Sequence, residues 1–296
     1  MGLDITSIRY HCWLKKQGAS FKKVAMLGRH TFYGLTPATL ARAVAGAGFK
    51  MEENEARGIL TAENGYAEPF YRWLGSEVVD SFDYSAYEQA THLWDMNQPL
   101  PAASEGQYDF VFDGGTLEHV FRYSDALREA MTLPKVGGIF LSATPANSYL
   151  GHGFYQFGPD LPFSVIREEN GYHLENVHLI EMRHRAIFHE VLPPCESRGR
   201  ALAATPWPAL MYFWGRREGA VPQKLEVLQP DYEAAWKGSS HQERASAPRA
   251  NLLRKILGGL PNDVRNDFLR LAKLGYTVVN RNAFFDKNCF RAEKSI

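Results

Sequence analysis

Residues 108–121 read YDFVFDGGTLEHVF, in which a short apolar run ends at Asp113 and is followed by two glycines, a threonine and the pair Glu118-His119. An apolar run of this length, bounded by turn-forming residues, is typical of a buried strand. In open parallel sheets, ligands bind where the carboxyl ends of the strands meet the following loops, because backbone N–H groups and helix N-termini are left free there. The stretch therefore predicts a strand with a binding site at its end.

Strands and helices alternate on both sides of this stretch. The sequence predicts strands at 22–28, 76–83, 91–94, 108–113, 139–144, 176–183 and 209–215. It predicts helices at 36–48, 66–75 and 125–133. Such alternation is typical of an α/β fold in which a mostly parallel sheet is covered by helices on both faces.

Local residues indicate where some of these elements begin. Thr36 is positioned to cap the first predicted helix, and Pro37 suits its first turn. Ser124 or Asp125 can cap the third helix in the same way. We expect the glycine pair at 137–138 to turn the chain from that helix into the next strand.

The C-terminal part of the chain has a different composition. Residues 237–250 are polar and rich in serine and alanine, which predicts a linker or mobile loop. The segment 262–275 predicts a helix with one apolar face. We therefore expect an α/β domain over 1–220 and a linker with a helical C-terminal extension over 221–296. The extension either packs on the main domain or forms a contact in a homo-oligomer.

The charge balance argues for a small-molecule partner. Lysine plus arginine and aspartate plus glutamate each number 33, so the formal net charge is zero and no broad basic field is available for nucleic acid or anionic membranes. The N-terminal segment contains no apolar run, so we expect a cytoplasmic protein. Cys12, Cys195 and Cys289 lie far apart, which suits a reducing compartment and predicts no metal site.

Three acids lie at the ends of successive predicted strands: Asp83 after the second, Asp95 after the third and Asp113 after the fourth. A carboxylate at the end of the second strand can accept hydrogen bonds from both hydroxyls of a ribose, and one after the third can accept one from the amino group of adenine. Each acid alone is readily explained as a helix cap or turn former. Together, in order on successive strands, they predict a cofactor that contains a nucleoside.

The region around the opening stretch resembles a known family. Its motifs occur in the order Asp95, Leu100-Pro101, Tyr108-Asp109, Leu117-Glu118-His119-Val120 and Gly137-Gly138. This arrangement is similar to the second half of class I S-adenosylmethionine-dependent methyltransferases, and a looser strand-by-strand match extends from 22 to 215. The resemblance implies a three-layer αβα Rossmann-like methyltransferase fold and S-adenosylmethionine as the cofactor. It also implies cofactor contacts at Gly28, Asp83, Asp95, Asp113 and Gly114.

The loop after the first predicted strand departs from the family pattern. It reads LGRHTFYG at 27–34, whereas the family has an acid-Gly-x-Gly-x-Gly loop whose missing side chains let the backbone approach the methionine part of the cofactor. We expect Arg29 and His30 to point away from the sulfonium or to bind the cofactor's carboxylate. About 55 residues separate this loop from Asp83. Since one βαβ unit needs only about 30 residues, the sequence predicts an inserted element at 49–65.

Two histidines are candidates for the base that a hydroxyl acceptor requires. His119 follows the fourth strand, and an imidazole can remove a proton near neutral pH. Glu118 can orient His119 or bind acceptor hydroxyls. His152 lies in GHGFYQFGPD at 151–160, where glycines and aromatic residues predict an acceptor-binding wall or lid over the same cleft. Either histidine could instead be structural.

The favoured function is methyl transfer from S-adenosylmethionine to oxygen, or less readily nitrogen, of a small polar metabolite such as a sugar or natural-product intermediate. Two other classes compete with it. A nicotinamide-dependent oxidoreductase would also use acids at strand ends, but the chain lacks a G-x-G-x-x-G loop. A non-catalytic scaffold or binding protein that has lost the cofactor would explain the altered loop at 27–34.

Overall fold

The computed structural model describes residues 2–182, 186–193, 203–205, 207–229, 284–285 and 290–293. Within these residues the strands are β1 Lys23–Leu27, β2 Val78–Asp83, β3 His92–Leu93, β4 Tyr108–Asp113, β5 Pro134–Asn147, β6 Tyr172–Glu181, β7 Ile187–Val191, β8 Ala203–Ala204, β9 Ala209–Arg217, β10 Phe284–Phe285 and β11 Phe290–Glu293. The α-helices are α1 Ile5–Lys16, α2 Pro37–Gly46, α3 Glu53–Thr61, α4 Glu68–Trp73, α5 Tyr123–Thr132 and α6 Asp160–Val165. Short 3-10 helices occupy Ala62–Gly65, Ala102–Ser104, Leu117–His119 and Glu168–Asn170.

Nine of these strands form one sheet in the order β11-β7-β6-β9-β5-β4-β1-β2-β3, and β8 pairs separately with β10. Neighbouring strands from β5 to β3 are parallel, and those from β5 to β11 are antiparallel. β7 and β9 therefore run opposite to the other seven strands. The order β3-β2-β1-β4-β5 is that of a doubly wound Rossmann-like sheet, which reverses between β1 and β4. The predicted Rossmann-like α/β fold is confirmed.

Two apolar cores cover the two faces of the sheet. Along β1, Val24 and Met26 belong to one core, whereas Ala25 and Leu27 belong to the other, because successive side chains of a strand alternate. Helices α1 to α4 contribute to the first core, and α5 and α6 contribute to the second. The sheet thus lies between two helical layers, as the alternation of elements predicts.

Helix α1 is absent from the elements that the sequence pattern predicts. Asp4 caps it by accepting the Ser7 backbone N–H at 2.8 Å. On the buried face, Ser7 Oγ lies 2.9 Å from the hydroxyl of Tyr212 in β9, and the Tyr10 ring centre lies 4.9 Å from the Tyr212 ring centre. Because polar side chains share this face with apolar ones, an apolar periodicity alone does not indicate the helix.

The inserted element expected between β1 and β2 is present as α3 and the 3-10 turn that follows it. Met51, Ala56 and Ile59 are buried in the first core. Glu63 and Asn64 adopt positive φ values of 50° and 57°, which reverses the chain before α4. The insertion predicted at 49–65 is confirmed.

The structure confirms one predicted helix start and corrects another. Thr36 caps α2 by accepting a backbone N–H of the first turn at 3.2 Å, and Pro37 begins the helix. Helix α5 begins at Tyr123, so the prediction that Ser124 or Asp125 caps it is wrong. The Tyr123 side chain is buried, which places the start of the helix closer to the core than the polar residues indicate.

The glycine pair at 137–138 lies inside β5 rather than before it, so the predicted boundary is wrong. Tyr108 of β4 pairs with Pro134 whereas Phe110 pairs with Ile139, and the residues between them bulge out of the ladder. A Cβ on the second glycine would lie 2.8 Å from the Tyr108 carbonyl oxygen. The pair therefore permits a close strand approach within one longer strand.

Strand β11 brings the C-terminal region to the edge of the main sheet. It pairs antiparallel with β7, with Phe290 opposite Val191. The linker predicted at 237–250 and the helix predicted at 262–275 lie outside the described residues. The packing and oligomer roles expected of that helix therefore stay predictions.

Two further expectations concern thiols and membranes. Cys12 is buried, and burial raises its pKa to about 12, which leaves an unreactive thiol. Cys195 and Cys289 lie outside the described residues. In the part of the chain that the structure describes, no helix has the length and apolarity needed to cross a bilayer.

His11 on α1 is a buried neutral imidazole. Its Nδ1 lies 2.7 Å from the Ser7 carbonyl oxygen, and its Nε2 lies 3.2 Å from the Tyr71 hydroxyl. The carbonyl can only accept, so Nδ1 carries the proton and Nε2 accepts from Tyr71. Burial lowers the pKa of His11 from 6.5 to about 4, and the Ser7 carbonyl opposes this effect only in part.

We expect His11 to make the protein sensitive to acid between pH 6.5 and pH 4. In this window the unfolded chain binds a proton that the folded protein excludes, so the free energy of unfolding falls as the pH falls. Above pH 6.5 neither state binds that proton, and the full stability is present. The loss at pH 5 relative to pH 7.5 is about 2 kcal/mol.

Urea unfolding at both pH values measures this effect. His11→Gln keeps one donor and one acceptor without a titrating ring, so it should lose about 2 kcal/mol less than the wild-type protein between pH 7.5 and pH 5. Equal losses in the two proteins would assign the acid sensitivity to other groups.

Candidate active site

The loops that follow β1 and β4 contact each other at the point where the strand order reverses. Leu27 and Asp113, the last residues of the two strands, are paired. Beyond them, the Thr116 hydroxyl donates to the Leu27 carbonyl oxygen at 2.6 Å. Gly28 has a φ of 75°, and a Cβ there would lie 2.8 Å from Thr116 Oγ1. Glycine is therefore required by the backbone conformation and by the close approach of Thr116.

Arg29 braces the loop that stands in place of a glycine-rich turn. Its Nε lies 2.7 Å from Glu68 Oε1 in α4, and its Nη1 donates to the Glu88 carbonyl oxygen at 2.8 Å. The guanidinium carbon lies 3.9 Å from the centre of the Tyr66 ring. The Arg29 and Glu68 side chains are only 14% and 7% exposed. Protein groups therefore neutralise the charge of Arg29, and its expected orientation relative to a cofactor stays a prediction.

His30 fills the space between the same two loops. It is buried, its Nε2 donates to the Leu27 carbonyl oxygen at 2.9 Å, and its Nδ1 has no hydrogen-bond partner among the described residues. A Cβ on Gly114 would lie 2.8 Å from the His30 ring. Burial is the main cause that lowers the pKa of His30 to about 3, so the ring is neutral. The neutral His30 ring therefore packs against the loop that follows β4.

Asp113 closes the turn that follows β4. Its Oδ1 accepts the backbone N–H groups of Thr116 at 2.9 Å and Leu117 at 3.2 Å, and its Oδ2 accepts the Ser142 hydroxyl at 2.7 Å. The carboxylate is fully buried, and burial raises the pKa of Asp113 although these hydrogen bonds oppose the rise. Since both oxygens contact protein groups, we expect Asp113 to influence a cofactor through the shape of the turn. A direct contact stays a prediction.

Asp83 and Asp95 both lie where the carboxyl ends of the parallel strands meet the following loops. Asp83 is the last residue of β2, is half-buried and accepts the Ser85 N–H at 3.2 Å. Its carbonyl oxygen accepts the Trp94 N–H at 2.8 Å, which ties the end of β2 to the residue before Asp95. The backbone and side-chain N–H groups of Asn97 both donate to Asp95 Oδ1 at 2.9 Å and lower its pKa. These hydrogen bonds hold both acids at the carboxyl ends of the neighbouring strands β2 and β3.

Glu118, His119 and His152 come together at the ends of β4 and β5, although neighbouring residues such as Glu118 and His119 often point to different sides. Glu118 Oε1 lies 3.3 Å from His152 Nε2 and 3.9 Å from His119 Nε2. The two imidazole ring centres are 5.0 Å apart. Glu118 is fully buried, whereas the His119 and His152 side chains are 49% and 33% exposed. The cluster therefore consists of one buried carboxyl group and two imidazoles that are partly exposed to solvent.

Backbone contacts hold the segment at 151–157 against the 3-10 helix that contains Glu118. The Phe154 N–H donates to the Glu118 carbonyl oxygen at 2.8 Å, and the Tyr155 hydroxyl donates to the Phe121 carbonyl oxygen at 2.7 Å. Gly153 has a φ of 71°, and a Cβ there would lie 2.9 Å from Glu118 Cγ. The glycine next to His152 thus permits the close approach that forms the cluster.

The electrostatic environment of Glu118 is unfavourable to an unpaired carboxylate. Burial, followed by the charge of Asp113, raises the pKa of Glu118 to about 8. Burial also lowers the pKa of His119, with the neighbouring His152 as the second cause. The buried Tyr123 hydroxyl has no hydrogen-bond partner among the described residues, and burial together with the charges of Asp113 and Glu118 raises its pKa. This region therefore contains two buried acids and a phenol that has no hydrogen-bond partner among the described residues.

Large apolar side chains are exposed on the loops that follow the parallel strands. Those more than half exposed on the loops after β1, β2 and β5 are Tyr33, Tyr84, Tyr87, Leu150 and Phe154. Exposed apolar groups gathered on the loops of one sheet edge are typical of a ligand-binding surface.

Sequence reasoning identifies the acids and histidines of this edge but misses the groups that hold its loops. Glu68 and Tyr66 have no motif around them, and the motif that contains Thr116 does not indicate its role. These roles depend on contacts with residues far away in the chain. The only available signal was the departure of the β1 loop from a glycine-rich pattern, which indicates that other side chains must support it.

No protein-family profile and no curated protein matches the chain. Solved structures resemble it distantly. One is a SAM-dependent methyltransferase, possible histamine N-methyltransferase, from Thermotoga maritima, with 14% identity, a TM-score of 0.33 and coverage of 71% of this chain and 91% of that chain. Another is the 16S rRNA (adenine(1408)-N(1))-methyltransferase W203A mutant from Catenulisporales acidiphilia, with 12% identity, a TM-score of 0.35 and coverage of 76% and 95%.

A third is a putative methyltransferase from Bacillus halodurans C-125, with 13% identity, a TM-score of 0.37 and coverage of 71% of this chain and 99% of that chain. All three are described as methyltransferases, the superfamily that the sequence motifs resemble. At this identity and TM-score, the likeness carries no argument about activity or ligand.

Proposed function

We propose that the protein is an S-adenosylmethionine-dependent methyltransferase that acts on oxygen, or less readily nitrogen, of a small polar metabolite such as a sugar or natural-product intermediate. The observation that carries this proposal is the position of Asp83 and Asp95 at and just after the carboxyl ends of β2 and β3, on a sheet with Rossmann-like order. Nucleoside-containing cofactors bind at this edge of such sheets.

The adenosine half of the cofactor fits the acids at this edge. Asp83 accepts one hydrogen bond from the Ser85 N–H, so its carboxylate keeps lone pairs for two ribose hydroxyls. Asp95 is oriented by Asn97, and its remaining lone pairs can accept the amino group of adenine. Gly28 and Gly114 contribute backbone only, at the ends of β1 and β4.

S-adenosylmethionine, when bound, supplies a methyl group activated by its sulfonium. The chain must then orient the acceptor, exclude water and take up the acceptor proton. His119 Nε2 suits proton uptake because its side chain is half exposed and follows β4. His152 Nε2, from the loop after β5, is the alternative base. Glu118 lies against both rings and orients them.

The charge balance and the exposed surface support a small acceptor. The chain has no net charge, and the exposed groups at this edge include tyrosine and phenylalanine rings that can pack against a small ring or chain. We therefore retain a small-molecule acceptor, with no nucleic acid or membrane partner. A cytoplasmic location and a homo-oligomer formed through the C-terminal helices stay predictions.

Replacing Asp83 by alanine should weaken the binding of S-adenosylhomocysteine, the demethylated product, by about 30-fold, or about 2 kcal/mol. The variant removes a charged acceptor from two ribose hydroxyls, and isothermal titration calorimetry measures the change. Glu77→Ala is the matched control, because Glu77 is an exposed acid at the opposite end of the same strand. It removes the same charge and should leave the affinity unchanged.

Two outcomes would count against the proposal. If neither S-adenosylmethionine nor S-adenosylhomocysteine gives saturable binding at millimolar concentration, the methyltransferase assignment fails and a scaffold that has lost the cofactor is favoured. If Asp83→Ala and Glu77→Ala both bind as tightly as the wild-type protein, the cofactor lies elsewhere than at the end of β2.

A further inference from the structure

Three side chains of the kind that bind metals converge at the end of β4. Glu118, His119 and His152 each offer one ligand atom, and these three atoms lie within 4.8 Å of one another. Ligand atoms that share one ion at bond lengths of about 2.1 Å are roughly 3 to 3.5 Å apart. The Glu118–His152 distance of 3.3 Å already falls in this range, and the Glu118–His119 distance of 3.9 Å is slightly longer. Rotation of the imidazoles that shortens the longer separations would place all three side chains on one cation.

The buried member of this group lacks the partner that a carboxylate requires. Glu118 is fully buried, and neither of its oxygens accepts a hydrogen bond among the described residues. His152 Nε2 is likewise buried without a hydrogen-bond partner there. Buried polar groups are normally satisfied, and a buried charge is normally paired or bound to a metal. A cation between Glu118 and the imidazoles satisfies all these atoms at once.

A second buried acid lies close to Glu118 in the turn that follows β4. Asp113, which is also fully buried, accepts the N–H of Leu117, the residue before Glu118, at 3.2 Å. Within the described residues, the ion-pair contacts of Glu118 are the two histidines, and neither lysine nor arginine contributes one. A divalent ion supplies compensation that these side chains do not.

We propose that Glu118, His119 and His152 bind a divalent transition-metal ion at this edge of the sheet. Two imidazole nitrogens and one carboxylate oxygen form the donor set of catalytic zinc sites and of facial-triad iron sites, both of which keep open positions. Magnesium and calcium prefer oxygen ligands and are disfavoured here. The exposed rims of His119 and His152 leave a path by which the ion enters.

A bound ion would also determine how the acceptor is held. This extension rests on the proposed function. An open position on such an ion would bind a hydroxyl oxygen of the acceptor and would lower the pKa of that hydroxyl, so that its proton passes to water. This favours acceptors in which the methylated atom is a hydroxyl oxygen. When the ion is bound, His119 and His152 are both ligands, and neither is the base.

Metal binding itself can be measured without any acceptor or cofactor. Full-length untagged protein is freed of metal with a chelator and titrated with Zn²⁺ by calorimetry, and with Co²⁺ by visible absorbance, which reports imidazole ligation. We expect one saturable site per chain. Glu118→Gln and His152→Ala should each weaken Zn²⁺ binding by about 100-fold or more. His173→Ala, which removes an exposed histidine from β6, is the matched control and should bind as the wild-type protein does.

Circular dichroism and S-adenosylhomocysteine titration of the same samples separate loss of metal from loss of fold or cofactor. Asp83→Ala should keep full Zn²⁺ affinity. The metal proposal is overturned if the wild-type protein binds Zn²⁺ no more tightly than Glu118→Gln and His152→Ala in folded samples. Zn²⁺ binding without cofactor binding would instead leave the metal site in place and remove the proposed function.

Discussion

Replacing Arg29 by alanine should lower the free energy of unfolding by about 3 to 5 kcal/mol, the range measured when one partner of a buried ion pair is removed. The variant leaves the Glu68 carboxylate buried without the Nε–H that lies 2.7 Å from it. Its other oxygen already lacks a hydrogen-bond partner among the described residues. The substitution also removes the stacking of the guanidinium on Tyr66 and its hydrogen bond to the Glu88 carbonyl oxygen.

A matched comparison exists in the same region of the chain. Arg72 on α4 pairs with Glu63, but these side chains are 49% and 36% exposed. Exposed pairs contribute little, so Arg72→Ala should cost less than about 1 kcal/mol. Urea unfolding of both variants measures the difference. The double variant Arg29→Met/Glu68→Leu should recover much of the loss, because no uncompensated charge is left buried. Similar losses for Arg29→Ala and Arg72→Ala would show that the loop does not depend on the buried pair.

Replacing Asp113 by alanine should destabilise the protein by about 3 to 5 kcal/mol. It leaves two backbone N–H groups and the Ser142 hydroxyl without their acceptor, at about 1 to 3 kcal/mol for each buried donor. Removal of a buried charge offsets part of this sum. Thermal or urea unfolding gives the value, and Ser142→Ala, which removes one of the three contacts, should cost about 1 kcal/mol.

Asp113→Asn separates the structural role of this residue from a direct role in cofactor binding. The amide oxygen can accept both N–H groups, and the amide nitrogen can donate to Ser142 Oγ, so we expect less than half of the alanine effect. Its affinity for S-adenosylhomocysteine should remain close to that of the wild-type protein. A stable Asn variant with strongly reduced cofactor affinity would instead make the Asp113 carboxylate a direct ligand.

The elements that local sequence specifies were predictable. The cap of α2 needs only Thr36 and the first turn that follows it, and β4 is an apolar run with turn formers at its end. Helix α1 was not predictable, because its buried face carries Ser7, whose partner Tyr212 is 205 residues away. A polar residue on a buried face looks like an exposed one until its distant partner is known.

The candidate site likewise contains residues that local sequence places correctly and contacts that it does not specify. The position of a residue after a strand is a local property, so His119 and His152 could be placed at one edge of the sheet from the sequence. Whether Glu118 turns toward them depends on the short 3-10 helix and on the fit of Gly153. The Arg29–Glu68 pair crosses the inserted element between β1 and α4, whose path the sequence does not specify.

The pairing of β11 with β7 has a consequence for the order in which the molecule folds. Arg291 and Glu190, which face each other across these strands, are 101 residues apart in the chain. Closing so large a loop reduces chain entropy before any contact compensates for it, whereas β1, β2 and β4 pair over shorter separations. Pairs in the antiparallel half, such as His178 with Glu190, span shorter separations as well. We therefore expect β11 to join the sheet after its other strands.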